Sequence, residues 1–166
     1  MNRANSRKSK RLTRKPPPAL DCARLLHYAV VDKSVGYSGR TLFVDGKELG
    51  RVPHLAICVR DGSGEVLLFH CARNWRVLGC SAHESVVAAK HRAEKVYSGL
   101  SSRWIESGVT RAEADRFLEK LFGNQHCDGC GRRPDQVEQL FTKGRLRICD
   151  ECLREIWQMA EAETRR

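Results

Sequence analysis

Residues 127–156 read CDGCGRRPDQVEQLFTKGRLRICDECLREI, and the two C-x-x-C pairs in this stretch, Cys127/Cys130 and Cys149/Cys152, decide how the end of the chain must fold. Each tight C-x-x-C turn presents two sulfurs to one metal ion. The segment between the pairs must fold back so that all four thiolates meet in a tetrahedron, the arrangement of a structural zinc site. Gly129 and Gly131 stand where such a turn needs residues that tolerate positive φ, which lets backbone N–H groups face sulfur. The alternatives are two disulfides or a redox-active pair. Nothing in the chain points to an oxidising compartment, and a redox C-x-x-C would want a βαβ context that is lacking here. One Zn(2+) held by Cys127, Cys130, Cys149 and Cys152 is therefore expected. Four thiolates close its coordination shell, so the metal is expected to support folding rather than chemistry.

The residues around the pairs suggest how they are joined. Residues 137–141 and 146–148 flank Thr142-Lys143-Gly144-Arg145 and predict a short β-hairpin. Residues 151–163 predict a helix with Leu153, Ile156, Trp157 and Ala160 along one side. A knuckle, a hairpin, a second knuckle and a helix carrying the last ligand is the layout of a treble-clef zinc finger.

The same stretch resembles the N-terminal zinc-binding domain of the ClpX unfoldase family. The likeness rests on the Cys-x-x-Cys-Gly start, the Val137-x-x-Leu140 segment, and Ile148-Cys149-Asp150-Glu151-Cys152 leading into an amphipathic helix. It covers about a fifth of the chain. The resemblance implies a treble-clef fold with the four cysteines as ligands, in a domain that dimerises through apolar surface and recognises substrates and adaptor proteins. The family places this domain before an ATPase, whereas here it is C-terminal. No G-x-x-x-x-G-K-[ST] phosphate loop occurs in the sequence, so ATP-driven unfolding is not expected of this chain.

Upstream, residues 108–123 predict a connecting helix. Thr110 and Glu113 form a capping box, Gly123 ends the helix, and Ala114, Phe117, Leu118 and Leu121 make its apolar stripe. Residues 20–107 read as an α+β domain built on a small antiparallel sheet. Strands are expected at 25–31, 40–44, 55–60 and 65–71, with hairpins about Asp45-Gly46 and about Asp61-Gly62-Ser63-Gly64. A helix is expected from Ser81, capped with Glu84, with Val86, Val87, Ala89, Ala93, Val96 and Tyr97 on its apolar face and Gly99 at its end.

The net charge of +10 on 166 residues is unevenly spread. Arg3, Arg7, Lys8, Lys10, Arg11, Arg14 and Lys15 fall in the first fifteen residues without an acidic neighbour, and Pro16-Pro17-Pro18 follows. Residues 1–19 thus read as a disordered basic arm with a proline spacer, and residues 3–15 offer nucleic acid an electrostatic contact. Residues 124–166 balance eight basic against eight acidic groups, unlike a finger that grips DNA with its own basic face. No apolar run approaches a membrane span, and a soluble, cytoplasmic protein is expected. Cys22, Cys58, Cys71 and Cys80 sit in apolar segments and read as reduced, mostly buried thiols.

These observations lead to a non-enzymatic reading, because paired carboxylates, a nucleophile elbow and a phosphate cradle are all lacking. A zinc finger that binds a protein partner, another copy of itself included, through Leu140, Phe141, Ile148, Ile156 and Trp157 is the expected function. A nucleic-acid-binding regulator using the basic arm is the alternative.

Overall fold

The computed structural model describes residues 15–39, 43–44, 46–123 and 125–164, with the backbone alone at Phe43. The basic residues 3–14, the start of the strand expected at 40–44 and Asp45 of its turn lie outside the described residues. The pairing of β3 (Phe43–Val44) with β4 (Lys47–Glu48) agrees with a hairpin there.

The main sheet has six strands, all antiparallel. β1 (Ala19–Leu20) leads into β2 (Ala23–Val30), which pairs with β5 (His54–Val59). β5 pairs with β6 (Val66–Cys71), and β6 with β7 (Val77–His83). β8 (Ile105–Glu106) returns to β2 beside β1, placing His27 opposite Glu106 and Tyr28 opposite Ile105. The β5–β6 hairpin carries the longest regular ladder, from His54 opposite Cys71 to Val59 opposite Val66. Both strands are apolar at nearly every position, which an antiparallel strand tolerates only where both its faces are covered.

One face is covered by α1 (Val86–Val96), which lays Ala89, Ala93 and Val96 over Leu55, Ile57 and Leu68. Tyr97 and Leu100 complete that core. The Tyr97 hydroxyl accepts from the Val52 N–H at 3.2 Å, anchoring the segment ahead of β5 to the helix end. The other face is closed by the sheet's own curl, which gathers Leu20, Leu25, Phe69, Cys71 and Trp75. Trp75 reaches this place through a left-handed backbone, φ 67°, that most side chains avoid. Its N–H donates to the Ala72 carbonyl at 2.9 Å, and its indole stacks on His54 with ring centres 4.3 Å apart. Burying each of these large apolar side chains contributes about 1.5–3 kcal/mol.

The structure moves one expected helix start. Ser81 lies inside β7, with its Oγ 2.9 Å from His83 Nε2. The helix is capped instead by Ser85, whose hydroxyl accepts from the Ala88 N–H at 3.1 Å. β7 escapes a propensity reading because Gly79 and Ala82 are poor strand formers and Cys80 and Ser81 carry no strong preference, so the segment is held extended by the β6 ladder. Val87, expected on the apolar face of α1, is 76% exposed.

α2 (Arg111–Phe122) carries the expected capping box. Thr110 accepts from the Glu113 N–H, and the Glu113 carboxylate accepts from Thr110. Ala114 and Leu118 are buried, while Leu121 faces solvent, so the stripe is narrower than its periodicity implies. α2 packs on β1 and β2. Beyond it, β9 (Leu140–Lys143) pairs with β10 (Leu146–Cys149), and α3 (Asp150–Thr164) follows directly. The hairpin starts three residues later than expected. Pro134–Gln136 take up a single 3-10 turn, and Gly144-Arg145 form the tip, with Gly144 at φ 64°.

Candidate metal centre

Three short elements bring the four cysteines together. Cys127 and Cys130 lie on a turn ahead of β9, Cys149 ends β10, and Cys152 sits in the first turn of α3. All four Sγ atoms lie within 4.8 Å of one another, and Cys130 Sγ is 3.7 Å from Cys149 Sγ. Thiolates ~2.3 Å from a tetrahedral ion stand about 3.8 Å apart, so the donor set fits such an ion. Among the described residues no other group of three or more His, Cys, Asp or Glu offers a metal this kind of cage.

The backbone around the site explains why the pairs converge. Asp128 ties the first turn to β10: its N–H donates to the Arg147 carbonyl at 2.8 Å, and its carboxylate accepts from the Arg147 N–H at 2.7 Å. Asp150 makes the matching clasp on the other side, donating its N–H to the Gln139 carbonyl at 3.0 Å and accepting from the Gln139 N–H at 3.2 Å. The two non-cysteine residues following Cys127 and Cys149 are thus structural fasteners. Gly131 takes φ 74° as expected, and its N–H donates to the Cys127 carbonyl. Gly129 does not occupy the left-handed region. Its role is space, since a Cβ there would stand 3.1 Å from Cys152 Sγ and 3.6 Å from Cys127 Sγ.

The electrostatics favour thiolates at two of the four positions. Burial raises the Cys127 thiol, but backbone N–H groups of Cys130, Cys149 and Gly129 outweigh it and bring it down to about 6. Of these donors, the Cys149 N–H lies 3.3 Å from Cys127 Sγ. Arg132 holds Cys130 below its usual range by donating from Nε to the sulfur at 3.2 Å. The same guanidinium also binds the Glu151 carboxylate, so one cation spans both knuckles. Cys152 is raised by hydrogen bonds to the sulfurs of Cys130 and Cys149, which makes it the thiol that keeps a shared proton. Such a set gives up its remaining protons when a divalent ion enters. The Arg132 bridge was not anticipated from sequence, although a cation two residues past Cys130 and an acid inside the second pair are its signature.

The residues expected to meet a partner separate into two groups. Leu140 and Ile148 are half-buried and pack with Val137 against the cysteine cluster, so they belong to its small interior. Phe141, Ile156 and Trp157 are exposed, at 38, 51 and 66%. Along α3 only Cys152 is buried, and Leu153 and Met159 extend the exposed apolar set.

Other cysteines and histidines form no competing centre. His70 and Cys71 fall on opposite faces of the sheet, as their adjacency requires, in separate cores. Cys58 is buried like Cys71, whereas Cys22 is half-buried and Cys80 exposed, against the expectation that all four were mostly buried. Arg132 and Arg133 are engaged by Glu151 and Asp135. A cleft of about 910 Å³ lies between the β5–β6 turn, α2 and the cysteine segment. Its lining mixes Arg24, Arg60, Arg111 and Arg133 with Asp61, Asp115, Asp135 and Glu138, so neither sign of ligand is selected. No described helix is long and apolar enough to cross a membrane. Neither protein-family models nor the known proteins and solved structures compared with the chain match it.

Proposed function

We propose that this chain is a non-enzymatic zinc-binding protein whose cysteine module, a treble clef of the ClpX type, holds α3 out as a docking surface for another protein chain. The observation that carries this reading is the state of α3. A fifteen-residue helix buries one side chain, Cys152, and leaves Leu153, Ile156, Trp157 and Met159 facing solvent. Apolar residues grouped this way on a small module mark a binding surface, and Trp is prominent among residues that anchor interfaces. A four-thiolate set leaves zinc no open position for water, so the metal's part is to hold the turn from which α3 starts.

The test places a photo-crosslinking amino acid at Trp157 of the full chain in cells and identifies adducts by mass spectrometry. The expected result is a protein adduct, to the same chain or to another, that disappears with Cys149→Ser. No protein adduct, or one indifferent to Cys149→Ser, would overturn the reading. A nucleic-acid adduct instead, lost at raised salt, would favour the basic arm as the functional element.

A further inference from the structure

The two edges of the main sheet are treated differently. Along β2, the outer backbone is occupied at Ala23 and Arg24 by β1 and at His27 and Tyr28 by β8. Along β7, among the described residues, no strand pairs the outer edge. Exposed edges are normally blunted by inward-pointing charge, Lys, Pro, a bulge or a covering element. The strand VLGCSAH has neither Lys, Glu, Asp nor Pro, and only the irregularity at Val77–Gly79 interrupts its ladder with β6. Cys80 and Ala82 are exposed, and the small side chains from Gly79 to Ala82 allow a second backbone to approach closely.

We infer that the β7 edge is a self-pairing surface on which a second copy of this chain adds antiparallel about a twofold axis at Cys80. Charge selects this occupant and this register. Pairing about Cys80 places Gly79 opposite Ser81 and Cys80 opposite its own copy, with the irregularity at Val77–Gly79 lying outside this centre. Beyond the two ends of the strand, Arg76 of each copy is then brought beside Glu84 of the other. Both residues are exposed, and among the described residues neither has an ion-pair partner within the isolated chain. The twofold makes the Arg76–Glu84 pair twice, at opposite ends of a strand pair whose centre carries no charge to repel itself. The two sheets become one, and the N–H and C=O groups along each β7 gain partners. This surface is separate from α3, and the inference stands whether or not α3 docks a protein.

The test uses the full zinc-loaded chain carrying Ile156→Ser and Trp157→Ser, which removes any association through α3, and measures solution mass by sedimentation. The expected species is a dimer. Arg76→Glu or Glu84→Arg alone should weaken it about tenfold, and the double swap should restore it, because opposite-charge pairs across strands attract and like charges repel. Mild diamide oxidation should yield a Cys80–Cys80 disulfide between chains, identified by peptide mapping. A monomer at 100 µM would overturn the inference. So would a dimer indifferent to both charge reversals, or one linked through other cysteines alone. Persistence of the dimer after α3 is blunted separates this result from the proposed function, which concerns only Trp157 and its neighbours.

Discussion

In the sheet region, Leu55, Ile57 and Phe69 are wholly removed from water, and two cores lie on the two faces of β5 and β6. In residues 125–164, among the described residues, the buried apolar residues are Cys127, Cys149 and Cys152. One part of the chain has an apolar interior, and the other has a knot of sulfur with Val137, Leu140 and Ile148 leaning on it. The difference teaches where each part's stability resides. Apolar burial is distributed over many side chains and degrades by increments, whereas a four-thiolate cage is shared by all its ligands and fails as a unit.

The largest test of that contrast is removal of the metal ligand set. Chelation, or Cys149→Ser, should abolish metal binding and with it about 10 kcal/mol or more of folding energy for the C-terminal segment. Hydrogen exchange read by mass spectrometry should then show amides of residues 125–164 exchanging freely while those of β5 and β6 stay protected. Loss of protection in both would show that the parts fold as one. Next in size is Phe69→Ala, which leaves a void between β5 and the curl of the sheet and should cost about 3–5 kcal/mol in denaturant unfolding. Its metal content should remain that of the parent.

Acid should separate the regions in another way. His70 is 4% exposed, its Nδ1 has no hydrogen-bond partner among the described residues, and Arg92 and His83 lie near it. Burial, followed by these two groups, lowers its pKa from 6.5 to about 4. The unfolded chain therefore binds the extra proton first. Stability contributed by neutral His70 is complete above about pH 6.5 and is lost as pH falls from there to about 4, to a total of about 3 kcal/mol. Exchange of β6 amides across that window should show the loss, and His70→Leu should flatten it. The smallest effect belongs to Thr110→Ala, which removes the hydroxyl half of the α2 capping box and should lower stability by about 1 kcal/mol. A thermal midpoint left unchanged by that variant would show that packing of Ala114 and Leu118, not the cap, holds α2 in place.

The cysteine cluster was readable because metal ligation imposes a spacing on the sequence itself. The Asp61–Gly64 hairpin and the Thr110/Glu113 cap were readable for a related reason, since each is settled by neighbours within a few residues. β7 was not readable, because what holds Gly79 to Ala82 extended is the ladder to Leu67–His70 rather than any preference of its own. β8 is two residues long and exists only because β2 is there to receive it. Nor could periodicity tell that Leu140 leans on the sulfur cluster while its neighbour Phe141 is turned to solvent. Adjacent strand residues point to opposite faces, and only the fold says which face is occupied.

The return of β8 to β2 also bears on the order of folding. β5, β6, β7 and α1 follow one another along the chain, so their contacts close short loops and form early. The bond from Ser107 Oγ to the Leu25 carbonyl, by contrast, joins residues 82 apart and closes a loop containing everything between them. Its entropy is recovered only after the intervening hairpins and α1 have already shortened the path. Tyr28 and Ile105 should accordingly give φ-values near zero while Ile57 and Leu68 give high ones. The strand nearest the start of the sheet is then the last to be secured, and the sheet region can complete its fold only once synthesis has passed Ser107.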